Sequence, residues 1–151
     1  MTDDAGTETA ERVTRITSGA ALDVALDIRF EVFVAEQDVP EDLELDGRDD
    51  EATHFLAHSD GEPVGTARLR DYDEGVAKVE RVAVRGEHRG EGWGERIMAA
   101  VESYAREAGF ERVHLAAQVP VVGFYERLGY EAVGEEFMDA GIPHRSMEKS
   151  L

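Results

Sequence analysis

Residues 79–109 read VERVAVRGEHRGEGWGERIMAAVESYAREAG, and this stretch decides the fold because it combines a strand, a glycine-rich turn and a helix. The β-branched valines of residues 79–84 lie in an extended run, which predicts a β-strand. Apolar residues then recur at helical spacing from Ile97 onward, and Gly109 supplies a left-handed stop. This order of elements directs several amide groups and the positive end of a helix dipole at one point.

The turn, residues 89–94, has the pattern R-x-x-G-x-G. Gly90, Gly92 and Gly94 allow the backbone to approach a ligand without obstruction by Cβ atoms. The pattern matches neither G-x-G-x-x-G nor G-x-x-x-x-G-K-[ST], so sites for dinucleotides and for nucleoside triphosphates are disfavoured. The turn therefore predicts a site for a phosphate or pyrophosphate, with an ordinary strand-to-helix turn as the alternative.

The length of 151 residues suits one domain with a sizeable core. We expect a flexible acidic tail at residues 1–11 and a single domain at residues 12–151. The absence of cysteine excludes disulfides, thiolate metal sites and an acyl-cysteine intermediate. No apolar run is long enough to span a bilayer and no signal-peptide pattern is present, so we expect a cytoplasmic protein without a membrane partner.

The charge is strongly acidic, with 34 Asp and Glu against 16 Lys and Arg and a net charge of −18. Such a charge repels phosphate backbones and argues against a nucleic-acid partner. Only two of the basic residues are lysines, Lys78 and Lys149. Heavy acid enrichment with scarce lysine resembles the proteins of salt-loving organisms, which indicates a halophilic habitat and says nothing about the reaction.

This charge leads to a prediction about salt. The Debye length falls from about 30 Å at 0.01 M to about 3 Å at 1 M, so concentrated salt screens the repulsion between carboxylates. We expect the melting temperature to rise with KCl in thermal melts. A melting temperature that does not change across the KCl series would show that acidic repulsion does not limit the fold.

Alternating apolar residues and turn signals predict seven strands, and helical spacing predicts three helical regions. Ser18 is a candidate N-cap for the first helical region, which is one helix or two. His54 and His58 share a strand face without a third ligand, so we expect no metal site. The predicted strands are residues 12–17, 53–59, 62–70, 76–84, 112–117, 130–136 and 145–149. The predicted helical regions are residues 20–36, the stretch that follows Gly94 and stops at Gly109, and residues 120–128.

Residues 36–51 carry nine carboxylates and one arginine, Arg48, and Pro40 and Gly47 interrupt them. We expect a long irregular loop here. One interpretation is a solvated, salt-adapted surface. The other is that some of these carboxylates attract a cationic amine.

Two motifs resemble the GNAT acetyltransferase superfamily. The R-x-x-G-x-G turn resembles its acyl-CoA pyrophosphate loop, and residues 124–130, FYERLGY, resemble its F-Y-x-x-x-G-[FY] segment. Further segments resemble the ElaA-like branch of this superfamily, and together they cover nearly the whole chain beyond the acidic tail. These segments are residues 29–46, 64–70, 81–84, 117–118 and 141–147.

The resemblance implies an α/β (α+β) GNAT fold, a mixed central sheet of about six or seven strands with about four helices. It also implies acetyl-CoA as co-substrate, bound by a strand, loop and helix without a metal. The backbone of Val82, Ala83 and Val84 is expected to pair with the pantetheine arm. The amides of the loop hold the pyrophosphate in this scheme, contributed by Arg89, Gly90, Glu91, Gly92, Trp93 and Gly94. Trp93 is bulky for the loop, although its position needs to offer only an amide.

A protein of net charge −18 requires a local basic field to bind CoA. Four basic side chains around the loop are expected to supply this field, and they attract phosphate by charge and hydrogen bonding. They are Arg85, His88, Arg89 and Arg96.

The implied reaction is direct attack of an amine on the thioester. By the family motif, Tyr125 is the general acid for the departing sulfur, and a tyrosine buried for packing is the alternative. Glu80 is a candidate base, because period two in an unbroken strand places it on the same side as Val82 and Val84. His144, Glu36 and Gln37 compete for the role of base or line the acceptor pocket.

Two functions remain open at this point. The first is an N-acetyltransferase acting on a primary amine. The second is a non-catalytic acyl-CoA-binding or protein-interaction module of the same fold. The presence of Tyr125 beside a complete loop favours the enzyme, as a monomer or a homodimer.

Overall fold

The computed structural model describes residues 11–151, in which seven strands form one sheet in the order β1-β2-β3-β4-β5-β7-β6. Strands β4 and β5 are parallel, and every other neighbouring pair is antiparallel. The predicted acidic tail lies outside the described residues except for Glu11, which instead begins β1. The strands are β1 (Glu11–Arg15), β2 (Thr53–Ser59), β3 (Glu62–Asp73), β4 (Val76–Val84), β5 (Arg112–Gln118), β6 (Glu131–Asp139) and β7 (Ile142–Ser150).

Four α-helices and a π-helix accompany the sheet, so the predicted fold is confirmed. The side chain of Ser18 accepts a hydrogen bond from the Ala21 amide at 3.2 Å and caps the first helix, as predicted. The helices are α1 (Gly19–Arg29), the π-helix (Phe30–Glu36), α2 (Glu41–Glu44), α3 (Trp93–Glu107) and α4 (Val122–Arg127).

The last two strands are longer than their sequence pattern indicates. Residues 138–144 were expected to connect them, but a tight hairpin turn at Ala140 and Gly141 does so. Both turn residues have positive φ, 53° and 76°, the conformation that a two-residue hairpin loop of this kind requires.

Apolar side chains cover both faces of the sheet. Helices α3 and α4 pack on one face, where Trp93, Ile97 and Tyr125 join the larger core cluster. Helix α1 and the π-helix pack on the other face, where Ile28 and Val32 form a smaller cluster. Both faces of the sheet are therefore covered, except at the edge strand β6, most of whose residues are exposed.

A β-bulge interrupts β4. Thr66 of β3 lies opposite Ala83, whereas Arg68 lies opposite Glu80, so β4 contains one extra residue between these pairs. Arg81 lies within the bulge and has φ of 58°, which is uncommon for a residue other than glycine.

Because of the bulge, the side chain of Glu80 does not lie on the predicted face of the sheet. Val82 and Val84 pack against the α3 cluster, together with Val79 before the bulge. Glu80 alternates with Val79 and bonds to Arg68, on the opposite face of the sheet. The prediction that Glu80 shares a side with Val82 and Val84 is therefore wrong, because the extra residue shifts the alternation.

The acidic segment 36–51 differs in part from its prediction as a solvated loop. Part of it forms α2, and three of its nine carboxylates bond to two buried arginines, whereas the other six are exposed. Arg29, 1% exposed, donates to Glu44 and Asp49, each at 2.8 Å. Arg68, 0% exposed, donates to Asp46 at 2.8 and 2.9 Å and to Asp49 at 3.0 Å. These carboxylates therefore neutralise cations of the chain itself, which explains why the segment is ordered against the sheet.

Candidate active site

A cleft opens where the two parallel strands separate. Strands β4 and β5 pair from Val76 and Arg112 as far as Val79 and Leu115. The cleft beyond this pairing has a volume of about 690 Å³, and both strands line it. Residues of the glycine-rich loop and of the β6–β7 turn also line the cleft.

The loop has the geometry that an anion site needs. Gly90 and Gly92 have φ of 84° and 87°, and a Cβ atom on either would meet nothing within 4 Å. Gly92 is the N-cap of α3, and its carbonyl accepts from the Arg96 amide at 3.2 Å. The helix N-terminus and its free amide groups thus point toward open space, which favours a bound phosphate.

Gly94 and Trp93 have structural roles that the sequence did not reveal. A Cβ atom on Gly94 would lie 2.9 Å from Cζ of Phe124, so glycine is needed for α3 to pack on α4. The Trp93 ring is 2% exposed and belongs to the core, and its Nε1 donates to Glu91 at 3.2 Å. Trp93 therefore anchors the loop in addition to offering its amide.

A Gly92→Asp substitution tests the loop as an anion site. We expect it to weaken acetyl-CoA binding at least about tenfold, because it places a side chain and a negative charge where the pyrophosphate is expected. Gly61→Asp is the matched control, since Gly61 also has positive φ and open space around its Cβ position. Calorimetry at high salt measures both, and equal affinities in the two folded variants would contradict the assignment.

The basic residues near the loop already have acidic partners. Nη2 of Arg89 lies 2.6 Å from Oε1 of Glu36, and its Nε donates to the Val84 carbonyl at 3.0 Å. The half-buried His88 has a raised pKa, because it bonds to Glu91 at 3.1 Å. A bound anion must therefore compete with carboxylates. Arg85 lies 3.6 Å from Glu31 in the same region, and Arg96 lies over the Trp93 ring at 4.6 Å.

Glu36 and Gln37 were both expected in the acceptor pocket, but their side chains lie in different places. Glu36 lies against the loop, and it is not among the described residues that line the cleft, whereas Gln37 is. We therefore withdraw Glu36 from the acceptor pocket and keep Gln37.

Glu80 lines the cleft but is held by several cations. Arg68 and Arg70 donate to its Oε1 at 2.7 and 2.8 Å, and Lys78 lies 3.5 Å from Oε2. Burial alone would raise the pKa of Glu80, but these hydrogen bonds and charges outweigh it and lower the pKa to about 2. A carboxylate this acidic is a weak base, so Glu80 is a poor candidate for accepting the ammonium proton.

Tyr125 lies in α4 and its side chain lines the cleft. Its ring packs edge-to-face on Phe124 at 5.0 Å and on Tyr130 at 5.8 Å, which fixes the position of the hydroxyl. Burial raises the pKa of Tyr125 to about 12. The hydroxyl therefore carries its proton throughout the neutral pH range, as an acid catalyst must.

Polar groups of three elements meet at the acceptor end. Gln118 ends β5, and its Nε2 donates to Oε1 of Gln37 at 2.8 Å. His144 of β7 lies opposite Gln118 and approaches the Ile142 carbonyl with Nδ1 at 2.7 Å. Because a carbonyl only accepts, Nδ1 carries a hydrogen, and in the neutral imidazole Nε2 has the lone pair. Sequence reasoning gave Gln118 no role, although its place after a buried strand was a usable signal.

Between residues 11 and 151, which the structure describes, no cluster of three or more His, Asp or Glu side chains has the arrangement of a metal site. Within the same range, every helix is too short or too polar to cross a membrane.

Comparison with known proteins identifies the family of this chain. The family model for the acetyltransferase (GNAT) domain matches residues 6–151, so the chain belongs to the GNAT acetyltransferase family. The Bacillus subtilis protein named uncharacterized N-acetyltransferase YjcF is 43% identical over 123 residues, which are 81% of this chain and 87% of YjcF.

Two solved structures extend this likeness. An acyl-CoA N-acyltransferase from Pseudomonas aeruginosa has a TM-score of 0.82 and 30% identity, covering 92% of this chain and 99% of that one. Escherichia coli ElaA has a TM-score of 0.82 and 28% identity, with the same two coverages. The expected likeness to ElaA is therefore confirmed.

Proposed function

We propose that the protein is an N-acetyltransferase that moves an acetyl group from acetyl-CoA to a primary amine by direct attack. The observation that carries the proposal is the cleft between β4 and β5, which is lined by the glycine loop and by the polar residues Gln37, Gln118 and His144. Tyr125 lines the same cleft, so an acid is available for the departing thiolate. Family membership supports the same reaction.

In the proposed acetyl transfer, the neutral amine nitrogen attacks the thioester carbon. A C–N bond forms and the C–S bond breaks. The proton of the resulting ammonium goes to Nε2 of His144, and the hydroxyl of Tyr125 protonates the CoA sulfur. The bulge at Arg81 leaves backbone groups of β4 outside the ladder, and an amide there suits the developing oxyanion.

His144 replaces Glu80 as the proposed base for a physical reason. The lone pair on Nε2 is free to accept a proton, whereas the carboxylate of Glu80 is already saturated by cations. We expect His144→Gln to lower kcat about tenfold at neutral pH while acetyl-CoA affinity stays the same, since water partly replaces the base. Steady-state kinetics check this, and an unchanged kcat would remove His144 from the mechanism.

Release of CoA from acetyl-CoA in the presence of an amine panel tests the function. The chain has no cysteine, so a thiol-reactive dye reports free CoA without a protein background. The expected result is amine-dependent CoA release that Gly92→Asp weakens. Tight acetyl-CoA binding without release for any amine would instead favour the non-catalytic module.

A further inference from the structure

A network of ion pairs borders the cleft, and its small positive net charge contrasts with the net charge of −18 of the whole chain. Five of the chain's 16 basic residues form this network with four carboxylates, so the network carries one net positive charge. Its cations are Arg29, Arg68, Arg70, Lys78 and Arg81, and its carboxylates are Glu44, Asp46, Asp49 and Glu80.

Two of these cations, Lys78 and Arg81, line the cleft, and each is 22% exposed. Nζ of Lys78 has one long ion pair, 3.5 Å to Glu80, and lies 5.3 Å from the Tyr72 ring. Arg81 uses Nε and Nη2 toward Glu44 and Asp46, and within residues 11–151 no bond uses its Nη1. Both side chains thus keep donors for an anion in the cleft.

The carboxylates on the same wall are already engaged. Oε2 of Glu44 lies 2.8 Å from Nε of Arg29 and 2.9 Å from Nε of Arg81, and Glu80 has the partners described above. Asp139, next to the β6–β7 turn, also lines the cleft, is exposed, and has no ion pair within the described residues. The cleft therefore offers cations at β4 and a carboxylate at the β6–β7 side, a pattern that complements a zwitterion.

Apolar side chains line the same cleft. They are Phe33, Val39, Leu43 and Ile142, and Leu43 is 52% exposed. Its carbonyl accepts from Nη2 of Arg81 at 3.3 Å, which places this apolar surface beside the cation. An apolar side chain bound here would bury surface that is exposed in the free protein.

An amine attacks only as the neutral base, so a zwitterion bound with its ammonium toward Asp139 must first lose a proton. The proposed base, His144, accepts that proton.

We propose that the acceptor is a small amino carboxylate with an apolar side chain. Lys78 and Arg81 hold its carboxylate, and its amine lies toward His144 and Asp139. This inference rests on the proposed function and specifies its substrate class.

Two matched substrate triads test the inference on the unmodified protein. Leucine, leucinamide and 3-methylbutylamine share one apolar body, and phenylalanine, phenylalaninamide and phenethylamine share another. We expect kcat/KM for at least one amino acid to exceed that of its amide and its amine about ten- to a hundred-fold, as charge-assisted hydrogen bonds would give. Equal or lower values for both amino acids would overturn the inference.

Substitution of Lys78 distinguishes a direct contact with the substrate carboxylate from a general electrostatic effect on every substrate. Lys78→Gln is expected to raise KM for the amino acid about tenfold without changing KM for the matched alkyl amine, and Lys78→Arg is expected to restore it. Arg112→Gln is the control, because Arg112 is an exposed cation at the opposite end of β5. Equal effects of Lys78→Gln on all three substrates would also overturn the inference.

The two substrate triads distinguish failure of the proposed substrate class from failure of the proposed transferase function. Transfer to other amines but to neither amino acid would overturn the substrate class and leave the transferase proposal standing. Binding of acetyl-CoA without transfer to any amine would overturn both.

Discussion

Tyr125→Phe is expected to lower turnover roughly ten- to a thousand-fold while acetyl-CoA affinity stays unchanged. The substitution removes only the hydroxyl, so the edge-to-face contacts of the ring with Phe124 and Tyr130 remain. A lost general acid raises the energy of the transition state more than that of the bound complex. Steady-state kinetics with an accepted amine and calorimetry with acetyl-CoA measure the two quantities separately.

Tyr104→Phe is the matched control for this experiment. Tyr104 lies in α3, packs edge-to-face on Phe55 at 5.8 Å, and does not line the cleft. It should keep full turnover. If Tyr125→Phe also keeps full turnover, Tyr125 is a packing residue and water protonates the thiolate.

Arg68→Met is expected to destabilise the fold by about 1–3 kcal/mol, because Asp46, Asp49 and Glu80 lose the buried hydrogen-bond donor that they share while each keeps a second cation. Arg68 is fully buried, and its loss leaves Asp46, Asp49 and Glu80 without their shared partner. Urea unfolding at neutral pH measures the change. Arg127→Met, which removes an exposed cation, should change the free energy of unfolding by no more than about 0.5 kcal/mol.

The effect of Arg68→Met should depend on pH in a defined direction. The pKa of Glu80 falls from 4.5 to about 2 on folding, so its contribution to stability is complete above about pH 4.5. This contribution is lost as the pH falls from 4.5 toward 2. The difference between wild type and Arg68→Met should therefore be smaller at pH 3 than at pH 7. An equal or larger difference at pH 3 would contradict this role of the network.

Local patterns predicted most of the fold. Period two gave the exact bounds of β2 and β4, and the capping chemistry of Ser18 located the start of α1. These features depend on residues near one another in the sequence, which is why they were accessible.

Features that depend on distant partners were not accessible in the same way. Asp46 bonds to Arg68, which is 22 residues away, so the sequence could not separate a paired carboxylate from a solvated one. The bulge at Arg81 was missed because arginine has no special preference for positive φ. Gly94 was assigned to the ligand because its close approach to Phe124 exists only after α3 and α4 pack.

The candidate site also combines features set by neighbouring residues with features set by residues that are distant in the sequence. The loop and Tyr125 belong to contiguous motifs, whereas the acceptor end combines residues from the end of the π-helix, β5 and β7. Gln37 and Gln118 are 81 residues apart and meet only in the folded chain. Glu36 and Gln37 are adjacent in the sequence, yet one contacts the loop and the other lines the cleft.

A crystal structure with acetyl-CoA bound tests the central claim most directly. We predict the pyrophosphate at the amides of residues 89–94, the pantetheine arm along residues 82–84, and the thioester sulfur within hydrogen-bond distance of the Tyr125 hydroxyl. Acetyl-CoA bound outside the cleft between β4 and β5, or a sulfur beyond the reach of Tyr125, would contradict the account.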